Sequence, residues 1–464
     1  MKAVKGKYYF GGIHPRGMKE LSASAAIEVL PVEQVAISTL QSHGKCATPA
    51  VTVGQTVKEG EIIARADGLI SSDVFASVSG TVTEIKEIDG ETYIVIKSDN
   101  KEEKSFLPPL SEPDADAIKA RIKDAGIVGL GGAGFPTAVK VAPDCPVDTL
   151  IVNGAECEPY LTCDHRLMIE KTEEIARGAR YIAKALGVKK IIIGIEANKP
   201  DAIKAFEQFD DIQPVILKKQ YPMGGEKQLI FVATGRRVQL GKLPKDIGVV
   251  VQNVGTCFAV CEAVELGKPL YERVVTVSGK AVANPKNLLV KVGTPVQTIV
   301  DFCGGESDTP KKVVVGGPMT GTALASYDVY THITTSGVLL LSKKEAAFAE
   351  PTPCVNCGKC ADVCPMHLMP MNTAFYSAAG DFEAAEKYGN ARACIECGAC
   401  EYVCPAKRPL IQAIRKTKAA LKNNVAKPEA VHDVAGKPLA EVDGKPVEEA
   451  APDNLKSEKE ENNG

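Results

Sequence analysis

The sequence predicts a multidomain α/β protein, and three observations predict it. From residue 149 to about 220, apolar runs of strand length alternate with amphipathic helical segments, the pattern of a mainly parallel sheet. The N-terminal hundred or so residues instead carry short alternating strands, with turns about every eight to twelve residues. Near the C-terminus, CVNCGKCADVCP (Cys354 to Pro365) and CIECGACEYVCP (Cys394 to Pro405) repeat one cysteine spacing.

Length and composition set the frame. A chain of 464 residues, 45% of them hydrophobic, can bury several cores, so about two to four domains are expected. A net charge of -3 gives no reason to expect a nucleic acid as partner. No apolar run approaches the roughly 20 residues of a membrane-spanning helix, and the opening MKAVKGKYYFGG lacks the apolar core of a signal peptide. The expectation is a soluble chain on the cytoplasmic side. There its fifteen cysteines would stay reduced and serve metals or catalysis rather than disulfides.

The first predicted domain covers residues 1–112. VGQTVKEGEII and SVSGTVTEI look like the halves of a lipoyl-type barrel-sandwich. A carrier domain of that type needs a lysine at its hairpin tip, and none stands between Arg65 and Thr81. A structural or docking module is therefore expected.

The second predicted domain, 113–268, is α/β and Rossmann-like. Gly129, Gly131 and Gly134 of GLGGAGFPTAVK satisfy GxGxxG, but the dinucleotide fingerprint requires a strand immediately before the glycines. DADAIKARIKDAG instead spaces Ile118 and Ile122 as a helix does and ends at Gly126. A plain Rossmann reading is disfavoured. Gly129, Gly131, Gly132 and Gly134 still permit the backbone to approach an anion beside a helix start near Pro136. A glycine-rich turn with no ligand is the alternative. Downstream, DTLIVNGAE, VKKIIIGIEA and DIQPVILKKQ read as strands, with RLMIEKTEEIARGARYIAKALG and PDAIKAFEQF as the helices between them. Ligands of such sheets gather at the carboxyl ends of the strands. NGAECEP (Asn153 to Pro159) and YPMGGEKQLI (Tyr221 to Ile230) follow two of those ends. Their Glu156, Glu158 and Glu226 are either solvated loop acids or hydroxyl acceptors for a ribityl or ribose chain.

Residues 269–348 follow the strand, turn, strand, helix order of a β-grasp in ERVVTVSGKAVANPKNLLVKVGTPVQTIVDFCGG, with packing as the expected role. Residues 349–424 hold the cysteine runs in a helical, ferredoxin-type domain; both fit C-x2-C-x2-C-x3-C-P, in which three thiolates wrap one cluster and the fourth serves the other. The crossed assignment gives one 4Fe-4S cluster to Cys354, Cys357, Cys360 and Cys404, and the second to Cys364, Cys394, Cys397 and Cys400. Zinc ribbons also take four thiolates, but they use paired C-x2-C knuckles and have no use for the further cysteines. MNTAFYSAAGDFEAAEKYGNARA between the runs reads as a helical excursion. Cys257 and Cys261, at i, i+4, read as a buried apolar pair. PLIQAIRKTKAALKNN reads as a basic amphipathic helix, and 425–464, rich in Lys, Glu, Pro and Ala, as a disordered tail.

Taken together, GLGGAGFPTAVK, NGAECEP, GGEKQ and QNVGT resemble the NADH- and FMN-binding flavoprotein subunit of respiratory complex I. With the N-terminal segment and the doubled cysteine run, the chain resembles the C-subunit family of the Rnf electron transport complex over roughly residues 1 to 420. The β-grasp segment is similar to the soluble-ligand-binding β-grasp of the same flavoproteins. The resemblance implies FMN at Gly129 to Gly134, with Lys140, Asn153, Glu156 and Asn253 at flavin-contact positions. It implies NADH over the flavin, with Phe135 against the nicotinamide and Glu158, Glu226 and Lys227 near the dinucleotide. The family pattern usually carries an arginine at Leu130, an acid at Ala155 and a glutamate at Lys227. The activity implied is that of a peripheral subunit on the cytoplasmic face of the bacterial membrane. It would exchange electrons among NAD(H), FMN and two 4Fe-4S clusters, with integral-membrane Rnf subunits as partners, ferredoxin reached indirectly, and Na+ or H+ translocated. A soluble cobalamin reductase of similar layout and a flavin-free two-cluster electron carrier are the alternatives.

Overall fold

The five-stranded sheet that organises the middle of the chain is entirely parallel. Its strand order is Val4–Lys5, Ile212–Leu217, Lys190–Glu196, Thr149–Gly154 and Val249–Asn253. The computed structural model describes residues 1–346 and 349–424. Residues 1–418 make one compact unit; beyond it, only the end of the helix Leu410–Asn424 is described. The tail predicted to be disordered, 425–464, lies outside the described residues.

The three strands read from sequence are present, and two more join them. Val249–Asn253 borders Thr149–Gly154, and Val4–Lys5 adds the opposite edge. The long predicted helix is broken at Lys171 into Cys163–Glu170 and Thr172–Leu186. On one face the helices Thr172–Leu186 and Val254–Glu265 pack closely: a Cβ on Gly178 would stand 1.8 Å from the carbonyl oxygen of Cys257, so only glycine permits the approach. Cys257 is buried in that core, as the apolar reading expects.

The helix expected before the glycine loop is Ala115–Asp124, with the Asp114 carboxylate capping it by accepting from Ala117 N at 2.8 Å. A helix, not a strand, leads into the glycines.

The barrel-sandwich is built from a four-stranded sheet (Gln34–Ser38, Glu91–Ser98, Gly80–Ile88, Thr56–Val57) and a three-stranded one (Thr48–Pro49, Ile62–Arg65, Val74–Phe75). Val35, Ile37, Ile63, Val82 and Ile94 fill the space between them. Ahead of Gln34, Val4–Lys5 pairs in the α/β sheet, and Ile27–Val29 pairs with Lys286–Lys291 of the β-grasp. The β-grasp sheet runs Thr322–Leu324, Lys312–Val315, Gly337–Leu341, Glu272–Ser278, Lys286–Lys291, Ile27–Val29, with the helix Val296–Phe302 against it. Between the cysteine runs the predicted excursion is two helices, Pro370–Ala378 and Phe382–Gly389.

Candidate functional site

Parallel register puts Asn153 beside Asn253, at the carboxyl ends of neighbouring strands. Asn253 then caps the next helix, its side-chain oxygen accepting from Gly255 N at 2.8 Å. The glycine loop lies against this end. Gly129 N donates to Phe135 O and Gly134 N to Gly129 O, which closes residues 129–135 into a tight lariat. Leu130 N donates to the Thr256 hydroxyl, tying the lariat to the helix start. A Cβ on Gly131 would sit 3.5 Å from Asn253 Cβ, and beside Gly132 there is open space. The backbone thus leaves a cradle between loop and strand end. Lys140 crosses to Glu226 at 2.8 Å and to Val251 O at 3.1 Å, joining the loop's helix to the first turn of Glu226–Thr234, where Lys227 is half-buried. Asn153 Nδ2 donates to Gly224 O. Gly129, Gly131, Gly132, Gly134, Phe135, Lys140, Asn153, Glu226, Lys227 and Asn253 therefore lie along one contiguous rim.

Glu156 and Glu158 are placed differently. The Glu156 carboxylate is buried behind the rim, accepting from Asp164 N at 2.7 Å, with Lys19 Nζ at 3.6 Å and Lys199 Nζ at 3.9 Å. Its backbone is held at φ 45°, a strained value for a glutamate. Glu158 accepts from Met319 N and the Thr320 hydroxyl, fastening the β-grasp loop to the sheet end; burial raises its carboxyl despite those bonds. These acids anchor protein to protein.

The buried charges form a network that sequence reading missed. Lys199, 1% exposed, donates to Ala155 O at 2.8 Å and pairs with Glu196 at 3.2 Å. Lys19 reaches in from the N-terminal segment and donates to Glu158 O; burial lowers its ammonium even with Glu156 alongside. Asp164 accepts from Asn253 Nδ2 at 2.8 Å, and burial, then the nearby Glu156 charge, pushes its carboxyl up to about 6. No local pattern in ANKPD marks Lys199 as buried.

The departures from the family pattern have physical counterparts. Leu130 is buried in the barrel-sandwich core and Ala155 in the core beneath the sheet. Both positions face protein, where an ionised side chain would be costly.

The eight cysteines line two separate cavities. One is bordered by Cys364, Cys394, Cys397 and Cys400, the other by Cys354, Cys357, Cys360 and Cys404. In the first, Cys364 and Cys400 are buried and Cys394 and Cys397 half-buried; in the second, Cys354 and Cys357 are exposed. The first cavity lies beside the α/β domain. Gly12 N donates to Val363 O at 2.8 Å, Tyr221 Oη to Cys397 O at 2.7 Å, and Gln228 Nε2 to Pro365 O at 3.3 Å. Ile13, Tyr221, Cys157 and Met319 pack with Cys397 and Ala399.

The residues fit the groups that the motifs suggest. Each cavity offers four thiolates, the donor set of a cubane. At the glycine loop, the open space beside Gly132 and the missing side chain at Gly131, where a Cβ would stand 3.5 Å from Asn253 Cβ, leave room for a ligand to approach the backbone.

Comparison with known proteins agrees with this anatomy. Family models match the RnfC barrel sandwich hybrid domain at residues 7–101, the Nuo51 FMN-binding domain at 122–262, an SLBB domain at 274–323 and a 4Fe-4S dicluster domain at 353–408. Among curated relatives, the C subunit of the proton-translocating ferredoxin:NAD(+) oxidoreductase complex of Clostridium ljungdahlii is 43% identical, over 89% of this chain and 94% of its own. The Na(+)-translocating counterpart of Acetobacterium woodii is 44% identical over 89% and 97%. The C subunit of the ion-translocating oxidoreductase complex of Rhodobacter capsulatus is 41% identical over 82% and 76%. A solved chain of NAD+-reducing [NiFe]-hydrogenase aligns over 68% of both chains at 22% identity and a TM-score of 0.46. Fold and site define an iron-sulfur flavoprotein with FMN and two 4Fe-4S clusters as cofactors. The chain belongs to the C-subunit family of the ion-translocating ferredoxin:NAD+ oxidoreductase, the Rnf complex.

Proposed function

We propose that this chain is the NAD(H)-reacting subunit of a membrane-bound ferredoxin:NAD+ oxidoreductase. It would act at the cytoplasmic face and exchange electrons with the other Rnf subunits, whose ion translocation it supports. Among the described residues no helix is long and apolar enough to cross a membrane, so the ion path is assigned to partners. Relatives named for proton and for Na+ translocation match almost equally, which leaves either ion compatible with this chain.

The carrying observation is the segment Tyr221 to Glu226. At one end its Tyr221 bonds the Cys397 carbonyl; at the other Gly224 and Glu226 bond Asn153 and Lys140 of the flavin rim. One short loop joins the two redox sites. FMN, when bound, supplies the exchange between a two-electron hydride carrier and one-electron clusters. The chain's own residues then have distinct tasks. Backbone N–H groups of residues 129–134 and the Asn253-capped helix start offer donors to a phosphate. Asn153 and Lys140 hold the rim, and Phe135 presents a ring to the nicotinamide. Cys364, Cys394, Cys397 and Cys400 hold the cluster nearer the flavin. Cys354, Cys357, Cys360 and Cys404 hold the outer one, whose exposed ligands suit transfer to another subunit.

The test is an anaerobic NADH titration of protein assayed for flavin, iron and sulfide. Bleaching of flavin and then of cluster absorbance supports the reading. Protein that holds iron and sulfide but takes up no FMN, and ignores NADH, refutes it.

A further inference from the structure

The barrel-sandwich has no carrier lysine, yet one of its loops reaches the flavin rim. Between the strands Gln34–Ser38 and Thr48–Pro49, the chain is closed on itself by Ala47 N donating to Thr39 O at 2.9 Å. Gln41 fixes it further, donating to Ser38 O and accepting from Ile333 N at 2.8 Å. His43 N then donates to Gly134 O, also at 2.8 Å. Gly134 is needed for this docking: its φ is +59°, and a Cβ there would stand 2.9 Å from Thr334 Cγ2. The result is an exposed imidazole, His43, with its ring centroid 6.3 Å from that of Phe135 and tilted by 33°. Exposed Lys45 follows two residues later, its ammonium 3.5 Å from an exposed Asp67, a pairing weak enough to yield to a phosphate.

We propose that His43 is a dinucleotide-binding residue: its ring and that of Phe135 form one aromatic ledge for the nicotinamide end of NAD(H), so the barrel-sandwich supplies a wall of the nucleotide site. The inference rests on the reading of residues 129–135 as the NADH-facing flavin loop. Both rings are anchored through the same glycine, so their spacing is set before a ligand arrives, and a preset ledge saves the ordering cost of binding. Aromatic contact of this kind contributes modestly, enough for an affinity change of about five-fold.

The experiment uses full-length protein loaded with FMN and both clusters, comparing parent, His43→Ala and His43→Phe. Flavin content, the Kd of NAD+ for the oxidised protein by calorimetry, and kcat and KM for NADH with ferricyanide as acceptor are measured. His43→Ala is expected to raise the NAD+ Kd and the NADH KM about five-fold, with kcat and flavin content unchanged and His43→Phe close to the parent. An unaltered Kd in His43→Ala overturns the proposal, as does loss of FMN from that variant, which would make His43 a scaffold of the flavin loop. A parent whose bound flavin NADH does not bleach refutes the underlying reading, and this one with it.

Discussion

Tyr221 Oη donates a 2.7 Å hydrogen bond to the main-chain carbonyl of Cys397, and Tyr221 is almost wholly buried. In the proposed reading, a residue of the flavin rim's own loop thus contacts a ligand of the inner cluster. Tyr221→Phe removes the hydroxyl dipole beside that ligand and one hydrogen bond from a half-buried carbonyl, a loss of about 0.5–1.5 kcal/mol. The reduction potential of the inner cluster should fall, because hydrogen bonds around a cluster favour its reduced form. Potentiometry followed by EPR checks this, with the outer cluster unchanged as the internal control.

The crossed cavities make a pairing prediction. Cys404→Ser should disable the same cluster as Cys357→Ser, and Cys364→Ser the same cluster as Cys397→Ser, although each pair draws on both cysteine runs. EPR of the reduced variants separates this from a sequential assignment. Exposed Cys354 and Cys357 also predict that chelators strip the outer cluster first.

Much of this site was legible in the sequence because its chemistry is carried by short, local spacings. The cysteine runs specify two clusters, and the helix before GLGGAGF distinguishes the loop from a dinucleotide fingerprint. What was illegible depends on long-range placement. Lys19 meets Glu156 across 137 residues of chain, which no local pattern can encode. Glu156 and Glu158 read, from their position at a sheet edge, as either solvated loop acids or hydroxyl acceptors; in the fold the first is bonded inward and the second bonds a β-grasp loop. Ahead of Gln34, the chain adds an edge strand to each of two other sheets. His43 sits in SHGKC, an ordinary turn until the fold lays it beside Gly134.

Lys199 should be among the least replaceable side chains. Lys199→Met strands Glu196 and brings it close to an uncompensated buried charge, a loss of about 3–5 kcal/mol. Thermal denaturation should register it, and the double variant Lys199→Met with Glu196→Leu should recover part of the loss, because no charge is then left unpaired.

Asp164 predicts a pH dependence. Its folded carboxyl sits at about 6, above the ordinary value near ~4, so folding favours the protonated acid. The destabilisation from its ionisation therefore grows as pH rises from about 4 to about 6 and stays constant above. Asp164→Asn keeps an oxygen for the Asn253 amide and removes the charge. Its melting temperature relative to the parent should be higher at pH 8 than at pH 5; a difference that does not change with pH would contradict this.

Gly134→Ala should lose FMN while retaining iron and sulfide. The added methyl meets Thr334 at 2.9 Å and the backbone stands at φ +59°, so the lariat must shift. Flavin released on denaturation, counted against iron, reads the outcome.

Electrons are proposed to pass in a fixed order, with the cluster of Cys364, Cys394, Cys397 and Cys400 between the flavin and the outer cluster. The most direct measurement is rapid-freeze EPR after mixing NADH with Cys397→Ser protein assayed to hold flavin and the outer cluster. Flavin should bleach at the parent rate while the outer cluster stays oxidised on the turnover timescale. Reduction of that outer cluster as fast as in the parent would mean electrons reach it by another path, and the proposed order would be wrong.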